Sequence, residues 1–146
     1  MELNILIVDD EAELRKSLAS ILTSALPDYS IRMVEAENGR QAIAHASENH
    51  FDLVLMDVRM PELDGLEALR LIKEQDPRTF VVIMTAHSNL QDAITAIKHG
   101  AFDYTEKPID PEKLVGLVKK AMETREMVTD LALSNPIFDD DIDSKF

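Results

Sequence analysis

Short apolar runs and longer stretches with helical spacing alternate along the chain. Residues 5–8 form a continuous apolar run typical of a strand buried on both faces, and residues 53–56 and 80–84 have the same character. Residues 31–35 and 101–106 are two further candidates, so the pattern predicts five strands. A predicted helix separates each strand from the next. This alternation predicts a doubly wound α/β domain with a parallel sheet.

Five helices are predicted from apolar residues at helical spacing and from the residues at helix ends. The first covers residues 12–26, the second 40–49, and the third follows the loop that ends at Gly65. The fourth covers residues 89–99, with Ile94 and Ile97 expected to face inward and Gly100 in the usual stop position. With right-handed crossovers, we expect the flavodoxin-like strand order 2-1-3-4-5.

The last helix is predicted to begin with Asp110 as N-cap and Pro111 as its first residue. An apolar stripe then continues along it, so we expect the helix to run past the folded body; the stripe consists of Leu117, Ala121, Val128 and Leu131. The acidic end from Ser134 is expected to be disordered. This divides the chain into a domain of residues 1–124 and a segment of residues 125–146, which is a helical extension with an acidic tail or the start of a linker.

Composition and charge narrow the class of protein. The hydrophobic fraction is 45%, the charged fraction 29%, and there is no cysteine, which excludes disulfides and thiolate metal sites. No apolar run is long enough to span a membrane, so we expect a cytoplasmic protein. The net charge of −13 argues against direct binding of nucleic acid by this chain, because a phosphate backbone needs a basic face.

Polar residues follow the predicted strands at the edge where sites gather in such folds. Asp9 and Asp10 follow the first strand, Asp57 the third, Thr85 the fourth and Lys107 the fifth. The carboxylates should crowd together and repel unless a cation lies among them. With oxygen ligands alone, that cation is Mg²⁺, or Mn²⁺ as the alternative. A lysine and a hydroxyl opposite would complete a site for a phosphoryl group.

Taken singly, each of these residues has an ordinary explanation. An acidic run after a strand is more often a helix cap or a solvated turn, and Lys107 could be a surface lysine. Thr85 could equally be an ordinary strand residue. Their common position on one sheet edge, from four different strands, favours a site.

Four motifs resemble the response-regulator receiver family in order and spacing. They are IVDDE from residue 7, LMDVRMPELDG from residue 55, MTA from residue 84 and GAFDYTEKP from residue 100. The resemblance covers residues 3–124 and implies that Asp57 is the phosphoacceptor. It also implies Mg²⁺ bound by Asp10, Asp57 and the backbone carbonyl of Arg59, with Asp9 acting through water.

The resemblance assigns further roles beyond the metal. Lys107 would pair with the phosphoryl group, and Thr85, beside Ala86, would move to hydrogen-bond it. Tyr104 matches the family's switch aromatic, and Lys107–Pro108 matches a bond that is cis in the family. Arg59 and His87 stand two residues beyond Asp57 and Thr85, and we expect these bulky donors to exclude water and prolong the life of the phosphoryl group. The alternatives are that both side chains point to solvent, or that His87 orients the attacking water.

Expected partners follow from the same resemblance. A sensor histidine kinase would donate the phosphoryl group, and a homodimer could form through helix four, strand five and helix five. The motifs are most similar to receivers of nitrogen-regulator-type transcription activators, in which ATPase and DNA-binding domains follow the receiver. No such output domain lies in these 146 residues, so the chain is either a piece of a longer regulator or a stand-alone receiver.

Three alternatives compete with this interpretation. A phosphatase of the haloacid-dehalogenase type also forms an aspartyl phosphate, but it needs a second Asp two residues after a nucleophile on the first strand. Here that position, after Asp9, is Glu11. A nucleotide-binding domain is excluded, because the four glycines build no phosphate-cradling loop. A pseudo-receiver that binds partners without phosphorylation would lack Asp10, Asp57 or Lys107, which are all present.

Overall fold

The computed structural model describes residues 2–60, 63–86 and 90–134. Within these residues strands and helices alternate as the sequence predicted. The strands are β1 (Glu2–Val8), β2 (Ser30–Ala36), β3 (Leu53–Asp57), β4 (Phe80–Ala86) and β5 (Asp103–Lys107). The helices are α1 (Ala12–Ala25), α2 (Gly39–Glu48), α3 (Gly65–Gln75), α4 (Leu90–Lys98) and α5 (Pro111–Ser134).

The strands form one parallel sheet in the order β2-β1-β3-β4-β5, which confirms the predicted flavodoxin-like arrangement. β3 is the central strand, hydrogen-bonded to β1 on one side and to β4 on the other. All of its residues are buried, which explains why its sequence is an unbroken apolar run. Because the strands are parallel, their carboxyl ends meet at one edge, and functional sites in such folds lie at that edge.

Buried side chains in the described part of the chain form two clusters, one on each face of the sheet. Alternate residues of β1 show the division, since Ile5 and Ile7 face α1 and α5 while Leu6 and Val8 face the opposite helices. The first cluster includes Leu69 and Ile72 of α3, and the second includes Leu18 and Leu22 of α1 together with Leu114 and Val118 of α5. Each helix therefore covers the sheet with one apolar stripe.

The predicted orientation of α4 was wrong. Ile94 and Ile97 are 42% and 45% exposed, and Leu90 is exposed as well. The buried side chains of this helix are Ala93 and Ala96. The helix has two apolar faces, one with large and one with small residues, and periodicity alone does not decide which of them packs on the sheet.

The ends of the elements follow their local hydrogen bonds. Gly100 has a φ of 100°, a left-handed conformation that suits glycine, and it ends the turn after α4. The N–H of Ala101 donates to the carbonyl of Ala96 at 3.0 Å, so β5 begins at Asp103 and not at residue 101 as predicted. At the start of α5, Asp110 is the N-cap as expected, because its Oδ1 accepts from the N–H of Glu112 at 3.0 Å.

The described part of α5 extends well past the sheet. Arg125 Nη1 lies 3.0 Å from Asp52 Oδ1, at the end of the body opposite the strand carboxyl termini. Beyond this contact the apolar side chains are exposed; they are Met127, Val128 and Leu131. Disorder was predicted from Ser134, but Ser134 is still the last residue of α5, and the remaining residues of that prediction, 135–146, lie outside the described residues. Even with α5 included, the helices of the described residues contain no stretch long and apolar enough to cross a membrane.

Candidate functional site

Three carboxylates lie together beyond the ends of β1 and β3. One oxygen each of Asp9, Asp10 and Asp57 lies within 4.8 Å of the others. Asp9 and Asp57 are buried, whereas Asp10 is exposed. The adjacent parallel pairing of β1 and β3 produces this arrangement, because both strands end at the same edge. The expected crowding of carboxylates is thus observed.

Lys107 lies opposite these carboxylates. Its Nζ is 2.7 Å from Asp9 Oδ2 and 2.9 Å from Asp57 Oδ2, so one ammonium group joins the two buried acids. The side chain extends from the end of β5 and crosses the end of β4 to reach them. The peptide bond between Lys107 and Pro108 is cis.

Backbone and side-chain donors hold the carboxylates in place. The N–H of Glu11 donates to Asp9 Oδ1 at 2.8 Å, and the N–H of Arg59 donates to Asp57 Oδ1 at 3.1 Å. The buried Arg15 donates from Nη1 to the carbonyl of Asp9 at 2.7 Å. The first two bonds restrict the carboxylates of Asp9 and Asp57, and Arg15 fixes the backbone at Asp9, which together give the preorganisation that a charged site requires.

Electrostatics at the site follow from burial and charge. Burial raises the pKa of Asp57 above its ordinary value, and the neighbouring carboxylate of Asp9 adds to this, although Lys107 and the N–H of Arg59 oppose it. For Lys107, burial disfavours the charged form, but the hydrogen bonds to Asp9 and Asp57 raise its pKa overall. Lys107 is therefore charged at neutral pH, and an added cation would relieve the remaining repulsion among the acids.

The start of α3 is packed tightly against the end of β3. A Cβ on Gly65 would lie 2.2 Å from the carbonyl oxygen of Asp57, a distance that no side chain tolerates. The N–H of Gly65 donates to the carbonyl of Val58 at 2.9 Å. Glycine at this position therefore allows the first residue of α3 to approach the backbone of Asp57 and Val58.

The two predicted switch residues lie along β4 and β5. Asp57 is paired with Met84 in the sheet, so Thr85 is the next residue of β4 beyond the acidic cluster, and it is buried. Ala86 is paired with Lys107 at the ends of β4 and β5. Tyr104 is half-buried and packs against the core cluster beneath α2, α3 and α4.

Of the two residues predicted to prolong the life of the phosphoryl group, the structure describes Arg59 but not His87. The side chain of Arg59 is 69% exposed, and its Nη2 lies 2.9 Å from Oδ2 of Asp92 in α4. His87 lies outside the described residues, so its role stays a prediction.

A family model of the response regulator receiver domain matches residues 5–119. The chain belongs to this family. The match agrees with the fold and with the residues assembled at the strand ends, and it decides against the haloacid-dehalogenase alternative. The chain is thus the receiver of a two-component response regulator, a regulatory class of protein.

Similar proteins place the receiver among nitrogen-regulator-type activators. It is 41% identical to the regulatory protein AtoC of Escherichia coli (strain K12) over 84% of this chain and 26% of that protein. It is 40% identical to the DNA-binding transcriptional regulator NtrC of Salmonella typhimurium over 80% of this chain and 24% of that protein. The chain thus spans about a quarter of the length of these relatives.

A solved structure supports the same placement. The beryllofluoride-activated NtrC4 receiver domain dimer superposes with a TM-score of 0.74 at 34% identity, covering 84% of this chain and 98% of that one. The structural similarity and the family match therefore lead to the same classification.

Sequence reasoning missed two residues near the site, Arg15 and Asp92. Arg15 bonds Asp9 and also donates from Nε to Glu35 at 2.9 Å, and Asp92 pairs with Arg59. The signal for Arg15 was available, because it stands on the buried face of α1 with Leu18. No local pattern marks Asp92, which is one acid among many on a helix surface.

Proposed function

We propose that this receiver is a phosphoacceptor switch in which Asp57 takes a phosphoryl group from a sensor histidine kinase. The observation that supports this most directly is the position of the Asp57 carboxylate, which lies 2.9 Å from the Lys107 ammonium and in one cluster with the carboxylates of Asp9 and Asp10. Asp57 therefore has one cation in contact with it and neighbouring carboxylates with which it could hold a divalent metal. This is the minimum that phosphoryl transfer requires.

The donor set fits Mg²⁺, with Mn²⁺ as the alternative. Clustered carboxylate oxygens are hard ligands, and one of them, Asp10, is exposed and therefore accessible to a hydrated ion. We propose Asp10, Asp57 and the backbone carbonyl of Arg59 as ligands, with Asp9 acting through water. When bound, the ion supplies positive charge to the oxygens of the transferring group.

The transfer itself is a displacement at phosphorus. A carboxylate oxygen of Asp57 forms the new bond to phosphorus, and the bond from phosphorus to the donor's leaving atom breaks. The leaving group, a kinase histidine or the acetate of acetyl phosphate, departs with the electron pair. Lys107 then contacts a phosphoryl oxygen, and the Thr85 hydroxyl donates a hydrogen bond to another, with Ala86 beside it.

The output follows from the movement of Thr85. Space vacated by its side chain would let Tyr104 turn inward, which alters the face formed by α4, β5 and α5. A local charge that biases a two-state element is how such switches report. We propose that this face forms a homodimer or contacts attached ATPase and DNA-binding domains, which is consistent with the activated dimer of the NtrC4 receiver.

We also propose that the receiver proper ends near residue 124 and that residues 125–146 are an extension of α5 with an acidic tail, or the start of a linker. Contacts between α5 and the body continue through Arg125 and Glu126, and the Tyr29 hydroxyl donates to Glu126 Oε1 at 2.8 Å. The exposed side chains beyond them no longer belong to the core. This supports an extension of α5 beyond the receiver, as far as Ser134.

Phosphorylation can be tested with acetyl phosphate and Mg²⁺. One acid-labile phosphoryl group should be added to the wild-type chain and none to Asp57→Asn. Asp52→Asn is a matched control, because Asp52 is a buried acid that immediately precedes the same strand at its far end. Labelling of Asp57→Asn at the wild-type level would overturn the assignment.

Metal binding can be tested by stability alone. At a concentration 100 times its dissociation constant, Mg²⁺ should raise the free energy of unfolding by about 2.7 kcal/mol. Asp10→Asn should lose most of this gain, whereas Asp28→Asn, at an exposed acid outside the site, should retain it. Equal gains in the two variants would argue against the proposed ligand set.

A further inference from the structure

The side chain of Arg59 links the loop after the phosphoacceptor to α4. Its N–H is bonded to the Asp57 carboxylate, and its guanidinium contacts the carboxylate of Asp92 at 2.9 Å. Arg59 is therefore attached to Asp57 by its backbone and to α4 by its side chain. Its side chain is 69% exposed and so has freedom to move.

The carboxylate of Asp92 is largely buried but has fewer hydrogen bonds than a buried charge requires. It lies in the first turn of α4, and its side chain is 17% exposed. Among the described residues, its Oδ2 is a buried oxygen that receives no hydrogen bond of normal geometry, although the Arg59 guanidinium lies close to it. The contact is thus a charge interaction through one nitrogen and lacks the two-point geometry of strong arginine–carboxylate pairs.

We propose that Arg59 is a switchable ligand, which pairs with Asp92 while Asp57 is unmodified and moves to the phosphoryl group when Asp57 is phosphorylated. The inference rests on the proposed phosphoacceptor function. A phosphoryl group adds negative charge and new acceptor oxygens close to the Arg59 backbone, and guanidinium groups bind phosphate through two parallel hydrogen bonds. Departure of Arg59 leaves Asp92 buried without its cation, so the first turn of α4 must move to hydrate it.

The way α4 is anchored makes it sensitive to this loss. Its buried side chains are those of Ala93 and Ala96, whereas α3 on the same face buries Leu69 and Ile72. Hydrophobic stabilisation scales with buried apolar area, so two alanines hold a helix weakly. The Arg59–Asp92 pair therefore accounts for a larger share of the attachment of α4 than an equal pair would elsewhere.

The competition can be measured with beryllofluoride and Mg²⁺ as the phosphoryl mimic. The affinity for beryllofluoride and the hydrogen exchange of residues 90–98 are compared in wild type, Arg59→Ala, Asp92→Asn and the double variant. Gln91→Ala, at an exposed position of the same helix turn, is the matched control. Asp92→Asn keeps the shape of the side chain, and thermal unfolding checks that each variant is folded.

The two single variants should behave alike in one measurement and oppositely in the other. Both should speed exchange of α4 before beryllofluoride is added. Asp92→Asn should bind beryllofluoride about 5-fold more tightly, because Arg59 no longer has to leave a partner, at the low end of ordinary coupling between sites. Arg59→Ala should bind it more weakly, and the double variant should match Arg59→Ala.

Tighter binding in both single variants would show that Arg59 only restrains α4, and that would overturn the inference. Wild-type affinity in Asp92→Asn would overturn it as well, since the two anions would then not compete. In either case, normal labelling of wild-type Asp57 by acetyl phosphate would leave the proposed function standing. Absence of both labelling and beryllofluoride binding in the wild type would overturn the two together.

Discussion

Lys107 Nζ lies 2.7 Å from Oδ2 of Asp9, so its ammonium neutralises a carboxylate that has no exposed surface. Removing one member of a buried ion pair leaves the other charge uncompensated, which costs more than the pair contributed. The pair thus makes the folded state depend on a residue of the candidate site. The raised pKa of Lys107 keeps this contribution in place at neutral pH, and the contribution is lost only as the pH rises beyond the ordinary lysine value.

Lys107→Ala should lower the free energy of unfolding by about 2 kcal/mol at neutral pH without divalent ions. Mg²⁺ should restore part of the loss, because the ion supplies the missing positive charge to Asp9 and Asp57. Urea unfolding with and without Mg²⁺ measures both effects. Lys120→Ala, at an exposed lysine of α5, is the control, and an equal loss in both variants would contradict the prediction.

Asp57→Asn should make the metal-free protein more stable at neutral pH. Because burial raises the pKa of Asp57, the folded state binds its proton more tightly than the unfolded state does. Stability therefore falls as the pH rises from the ordinary aspartate value through the raised one, and it stays lowered at neutral pH. The stability difference between variant and wild type should grow across that window in urea unfolding at a series of pH values. A variant less stable than wild type at neutral pH would refute the argument.

The lifetime of the phosphorylated receiver should depend on Arg59 and His87. A guanidinium on the phosphoryl oxygens crowds the path of the attacking water, and misplacing that water by an ångström can slow hydrolysis on the order of 100-fold. We therefore expect faster decay in Arg59→Asn and in Arg59→Asn/His87→Ala, measured after removal of the phosphodonor. His87→Ala alone tests whether that side chain excludes the water or orients it. Arg70→Ala, on the surface of α3, is the control, and unchanged or slower decay in all three variants would show that these positions do not protect the phosphate.

Arg125→Ala should loosen α5 where it leaves the body. Loss of the contact with Asp52 removes an interaction worth about 1 kcal/mol, which corresponds to roughly 5-fold faster hydrogen exchange in the adjoining turns. Tyr29→Phe should act in the same direction by removing the bond to Glu126. Exchange of residues 126–131 is the measurement, with Lys119→Ala as the control. Protease cleavage between Val128 and Leu131 as fast in wild type as in the acidic tail would argue against an ordered extension.

The features that could be predicted from the sequence are those that depend on the order of the strands and on where each strand ends. The apolar run before Asp57 indicates a strand buried on both faces. Because the sheet is parallel, Asp57 at the end of this strand lies at the same edge of the sheet as Asp9 and Lys107. The sequence did not predict which of two apolar faces of a helix is buried against the sheet. Ile94 and Ala93 both suit a helix–sheet contact, and the buried face is decided by the space left between α4 and β4. The pairing of Arg59 with Asp92 joins residues far apart in sequence, and nothing local to either marks it.

The central strand β3 connects both ends of the molecule. It carries Asp57 at one end, is preceded by Asp52, which contacts Arg125, at the other, and is hydrogen-bonded to β1 and β4 along its length. Such a strand cannot slide or tilt without breaking bonds on both sides. It therefore keeps a fixed distance between the acidic cluster and the end of α5 that leaves the body. A conformational change that starts at Asp57 must then pass through the helices and strands around β3.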